Sequence, residues 1–160
     1  MQISQIQAAA DAIQDRLVLR IAGGNNEEIR VFVTRRFLKE LWPGLVAMLH
    51  SHLGAATPAA GLPPPADFSQ PYRNEDPVFP LGATPLLPAE ARIEPAGHGQ
   101  CTLTLREPRE RSLTFKLTAP LLQALCAMLR SAAETAQWDL ALDNLPAAAR
   151  AGSPSHRQLH

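Results

Sequence analysis

Ile29-Arg30-Val31-Phe32-Val33-Thr34-Arg35-Arg36-Phe37-Leu38 contains a change of period, and that change decides the fold. Up to Thr34 the apolar residues Ile29, Val31 and Val33 alternate with Arg30, Phe32 and Thr34, the pattern of a half-buried strand. Beyond it Phe37, Leu38, Leu41, Leu45, Met48 and Leu49 recur at helical spacing and predict a helix over Arg35 to His50. Thr34 stands where an N-cap belongs, because its hydroxyl can accept an orphan amide of the first turn. Pro43 removes a donor and crowds the preceding turn, so a kink is expected near Trp42-Pro43.

Upstream, Arg16-Leu17-Val18-Leu19-Arg20-Ile21 alternates in the same way, and Ala22-Gly23-Gly24-Asn25-Asn26 supplies a turn, so a hairpin leads into the helix. Ile3 to Gln7 is expected to add a first strand, joined through a turn at Asp11 to Asp15, although Ala8-Ala9-Ala10 would also suit a helix. The same grammar returns downstream. Ala91 to Glu94 and Thr102 to Leu105 read as strands, Glu107 to Glu110 as a polar turn, and Leu113, Phe115 and Leu117 as the apolar side of a returning strand. Thr118 repeats the cap, and Leu121, Leu122, Leu125, Leu129, Ala132, Ala133 and Ala136 mark a helix to about Gln137. Laying Val33-Thr34 over Leu117-Thr118 aligns Phe37-Leu38 with Leu121-Leu122, Leu41 with Leu125 and Leu45 with Leu129, as an internal duplication would.

Residues 53–89 hold nine prolines, which exclude a regular helix or a central strand. Leu53 to Ala66 suits a flexible linker, whereas Phe68, Tyr72, Val78, Phe79, Leu81, Leu86 and Leu87 carry too much apolar surface for a spacer and predict an ordered strap. Trp138 to Leu142 reads as a terminal strand or anchor, and disorder is expected from about residue 147. The expected architecture is therefore α+β. Two antiparallel strand-strand-strand-helix modules, 1–52 and 90–142, form one compact domain over 1–146, linked by a proline-rich central strap over 53–89 and followed by a disordered tail over 147–160.

Gln14 to Arg20, Val33-Thr34-Arg35-Arg36-Phe37, Leu41-Trp42-Pro43, Ala66 to Tyr72, Pro80-Leu81-Gly82 with Pro85-Leu86-Leu87, and Leu121-Leu122 with Trp138-Asp139-Leu140 together resemble a small family of uncharacterised cytoplasmic proteins from proteobacteria. The resemblance covers most of residues 2–142, and its most distinctive piece is Thr-Arg-Arg-Phe followed closely by Leu-Trp-Pro. It implies an ordered central strap and brings no activity, ligand or catalytic role.

At 160 residues the chain can bury a core without a disulfide framework or a structural metal. Its 15 basic residues balance 15 acidic ones, which argues against a global polycation working on nucleic acid. Cys101 and Cys126 read as reduced core thiols. No stretch approaches the length of a membrane helix, so a soluble cytoplasmic protein without membrane partners is expected. No phosphate loop, zincin helix or serine elbow is present, and His50 and His52, two residues apart, do not share a helix face. Glu27-Glu28 falls in the expected turn and reads as a solvated pair. No catalytic, cofactor-binding or metal-binding residue is assigned.

What remains is a candidate interaction surface. Arg16, Arg20 and Arg30 share a face of the hairpin with Phe32, while Arg35, Arg36 and Lys39 sit at a helix start that favours anions. The leading expectation is a non-catalytic interaction or adaptor protein, with itself as homodimer among its partners. A nucleic-acid binder using this basic patch is the alternative, and an enzyme without a visible motif ranks third.

Overall fold

The computed structural model describes residues 3–55, 72–109 and 111–142, and all structural statements concern these. The elements follow in the order β1 (Ile3–Asp11), β2 (Arg16–Gly23), β3 (Glu28–Thr34), α1 (Arg35–Ala55), β4 (Glu90–Gly97), β5 (Gln100–Arg106), β6 (Ser112–Thr118) and α2 (Ala119–Thr135). β1-β2-β3 form one antiparallel sheet and β4-β5-β6 the other, each ending directly in a helix. The protein is thus an α+β fold of two similar modules.

The repeat extends through side-chain burial. Leu17, Leu19, Ile21, Ile29, Val31 and Val33 of the first module are buried, and so are their counterparts Cys101, Leu103, Leu105, Leu113, Phe115 and Leu117 in the second. The helices match as well, with Leu38, Leu41, Leu45 and Leu49 standing for Leu122, Leu125, Leu129 and Ala133. Both caps form as the sequence indicates: the hydroxyls of Thr34 and Thr118 accept from the amides of Phe37 and Leu121. Leu121, expected in the buried stripe, lies at its rim.

The helices join the modules. α1 packs on β3 and reaches across to β4, α2 packs on β6 and reaches across to β1, and the helices pack on each other. One apolar cluster therefore spans both modules, and each sheet is covered partly by the other module's helix. Gly44 of α1 faces β4, where an added Cβ would meet the Ile93 side chain at 3.4 Å.

Three sequence expectations need adjustment. β1 continues through Ala8-Ala9-Ala10 to Asp11, because pairing with Leu17, Val18 and Leu19 overrides the helical leaning of alanine. α1 runs past His50 to Ala55, with Pro43 inside it at an exposed position. Trp138 to Leu142 is an anchor without regular structure, with Trp138 and Leu142 both buried. The linker over residues 56–71, including Phe68, and the tail from residue 147 lie outside the described residues.

Candidate interaction surfaces

The strap closes one edge of the first sheet. The amides of Glu28 and Phe32 donate to the carbonyls of Val78 and Leu86, and the amides of Val78 and Leu86 donate to the carbonyls of Asn26 and Arg30. These bonds form two separate parallel bridges at the outer edge of β3, Glu27 with Val78 and Val31 with Leu86, with a turn closed by the Gly82 amide on the Phe79 carbonyl between them; Leu86 is buried, and Val78 and Leu87 are exposed. Gln5 on β1 clips the start of the strap, its side-chain amide donating to the Arg73 carbonyl at 2.6 Å and accepting from the Arg73 amide at 3.0 Å. The far end is held by the second module. The Arg111 guanidinium donates to the carbonyls of Leu81, Thr84 and Pro85, while its own ion pair with Glu107 turns that carboxylate toward the Leu87 amide. Hydrogen bonds from Arg111 and from that amide hold the Glu107 carboxyl below the usual range against a smaller opposing effect of burial.

Under the strap lies Glu28, fully buried. This corrects the reading of Glu27-Glu28 as a solvated pair in a turn: Glu28 begins β3 on its outer face, where the strap covers it. Its carboxylate accepts from Arg20 and Arg30, from the Tyr72 hydroxyl at 2.8 Å and from the Asn74 amide at 3.2 Å. Burial alone would raise its pKa, but these charge-assisted bonds outweigh desolvation and hold it at about 2. Tyr72 is pushed well above the usual tyrosine range by burial and by donating to that anion. A buried carboxylate saturated in this way is an organising centre that draws the strap onto the hairpin.

The basic residues singled out in the sequence form several neutralised pairs. Arg16 stacks on Phe32 at 3.5 Å, Arg20 on Tyr72 at 4.2 Å and Arg30 on Phe79 at 4.8 Å, so strap aromatics cover two of the hairpin arginines. Phe32 is half-buried beneath the Arg16 guanidinium. Arg35 pairs with Asp15 at 3.0 Å, and Asp15 also accepts from the Trp138 indole at 2.7 Å. That indole bond, ahead of opposing burial and the help of Arg35, lowers the Asp15 pKa. Arg36 pairs with Glu40 one turn later, and Lys39 lines an apolar groove of about 680 Å³ with Trp42, Val46, Leu140 and Leu142. The hairpin and helix-start cations therefore do not converge on one free surface.

β6 presents the opposite situation. Its residues Ser112, Thr114 and Lys116 correspond to Glu28, Arg30 and Phe32, and all three are exposed. The facing β5 positions are Thr102 and Thr104, so this sheet turns a hydroxyl-rich surface outward, with Thr104 and Thr114 in contact at 3.1 Å. Among the described residues no backbone group pairs with the outer edge of β6. Periodicity identified β6 as a strand, but only the strap's docking on β3 shows that the two edges differ.

Cys101 and Cys126 are free and buried, and burial pushes their thiols up to about 11 and about 12, the latter with a further contribution from Cys101. Among the described residues no three His, Cys, Asp or Glu side chains are grouped to hold a metal ion, and no helix is long and apolar enough to cross a membrane. No protein-family model, curated protein or solved structure matches the chain.

Proposed function

We propose that this protein is a non-catalytic interaction module that engages a protein partner by strand pairing at β6, and that it works in the cytoplasm. The observation carrying this reading is the contrast between equivalent edges: β3 bonds to the strap through the Glu28 and Phe32 amides and the Arg30 carbonyl, whereas among the described residues no backbone group pairs with the outer edge of β6. An open edge is a template for main-chain hydrogen bonds, which is how extended segments are recognised. The alternative, nucleic-acid binding through the hairpin and helix start, draws less support because Arg20, Arg30, Arg35 and Arg36 each face a carboxylate. The resemblance carried by Thr34 to Phe37 and Leu41 to Pro43 fits a cytoplasmic setting and names no activity.

Thr114→Pro tests the reading. It removes an outward amide on an edge strand, where proline is tolerated, and so should leave the fold intact. A protein retained by the wild-type chain from native lysate and lost with folded Thr114→Pro supports the reading. Retention of the same proteins by both would overturn it.

A further inference from the structure

We infer that the partner of β6 is the β6 edge of a second copy of this chain, paired antiparallel about a two-fold axis at Thr114; this rests on the interaction reading above and names its partner. The joined strands would make a continuous sheet from the second modules of the two copies.

The phase of the backbone sets the pairing. The Arg106 carbonyl accepts from the Ala89 amide on the β4 side. Arg106 and its β6 neighbour Ser112 therefore form a non-hydrogen-bonded pair, and the amides and carbonyls of Ser112, Thr114 and Lys116 point away from β5. The same phase operates on β3, where Glu28 and Phe32 donate to the strap and Arg30 accepts.

Regularity makes β6 the edge suited to this. It pairs with β5 residue for residue without a register shift. β4 carries Pro95 and a shift between Pro95 and Gly97, and β1 carries a shift between Ile3 and Gln5. Proline and bulges are the devices that blunt sheet edges, and β3 is already occupied.

Self-complementarity points to the occupant. An axis at Thr114 sets that residue against Thr114 of the second copy, and Ser112 against Lys116 of the second copy. No like charges are opposed, and the threonine pair prolongs the hydroxyl contact between Thr104 and Thr114. The formal net charge of +0 imposes no long-range repulsion between copies. A seven-residue edge buries well under the ~1,200 Å² of a standard interface, so the dimer should have a dissociation constant of roughly micromolar or weaker.

Sedimentation equilibrium of the full chain over a wide concentration range reads the dimer directly. Ser112→Glu would face Lys116 of the second copy at two symmetry-related positions and should tighten the dimer by about 2- to 30-fold, while Ser112→Lys should loosen it by a similar factor. Both effects should shrink with added salt. Thr114→Pro should be monomeric, and if it fails to fold, the opposed Ser112 pair still decides the register. A chain monomeric at all concentrations, or two Ser112 variants that do not shift in opposite directions, would overturn the inference. So would a dimer that appears only after deletion of residues 143–160, which would assign the edge to the chain's own end. Retention of another protein by a β6 edge that does not self-associate would refute the second copy and leave the interaction reading standing.

Discussion

The outer faces of the hairpins β2–β3 and β5–β6 occupy equivalent positions and have diverged in chemistry. In the first, Arg20 and Arg30 lie against Tyr72 and Phe79, Arg16 stacks on Phe32, and Glu28 is buried at the centre. In the second, the corresponding Thr104, Thr114 and Lys116 meet no strap among the described residues, and Ser112 replaces the buried acid. The inner faces did not diverge in this way: both modules put the same sequence of apolar positions into one shared core. The repeat therefore preserves the side that must pack while the outer side varies, and a single carboxylate marks which outer face is closed.

The strongest way to break the comparison is at that carboxylate. Glu28→Ala should cost about 3–5 kcal/mol, because it leaves Arg20 and Arg30 without their counter-charge beneath the strap. Ser112→Ala at the equivalent exposed position should stay within about 0.5 kcal/mol. Chemical denaturation of both variants checks the pair. Leu125→Ala and its counterpart Leu41→Ala should each cost roughly 2–5 kcal/mol, since the core treats the modules alike. A change below about 0.5 kcal/mol in either would break the equivalence of the helices.

Acid sharpens the contrast further. The Glu28 pKa is about 2 in the folded protein against 4.5 for the free side chain, so its contribution is present above 4.5 and is lost as pH falls toward 2. That loss should be on the order of 2–3 kcal/mol and should be absent in Glu28→Gln, as read by denaturation midpoints at successive pH values. Tyr72→Phe removes only the hydroxyl that donates to the same anion, and should cost about 1–2 kcal/mol. A small effect of opposite sign lies away from both faces. Gly44→Ala should stabilise by about 0.5–1 kcal/mol, because alanine is the better helix residue and its Cβ meets Ile93 at an ordinary contact distance.

Local pattern made much of this fold legible. Alternation in Ile29 to Val33 and in Leu113 to Leu117, the helical stripes after Thr34 and Thr118, and their alignment all carry over into the structure, because each depends on near neighbours in the chain. The burial of Glu28 was not legible, since two of its partners, Tyr72 and Asn74, are 44 and 46 residues away. Nor was the crossing of α1 to β4 and of α2 to β1, which depends on how the modules dock. The apolar content of the strap did signal that it packs. Its register on β3 is written in backbone hydrogen bonds, which residue identity does not encode.

The claim that β3 is closed and β6 open is tested most directly by residue-resolved amide exchange, at a concentration low enough to keep copies apart. The account predicts slow exchange at Glu28 and Phe32, whose amides donate to the strap, and fast exchange at Ser112, Thr114 and Lys116. Equal protection at all five amides, or fast exchange at Glu28 and Phe32, would contradict it.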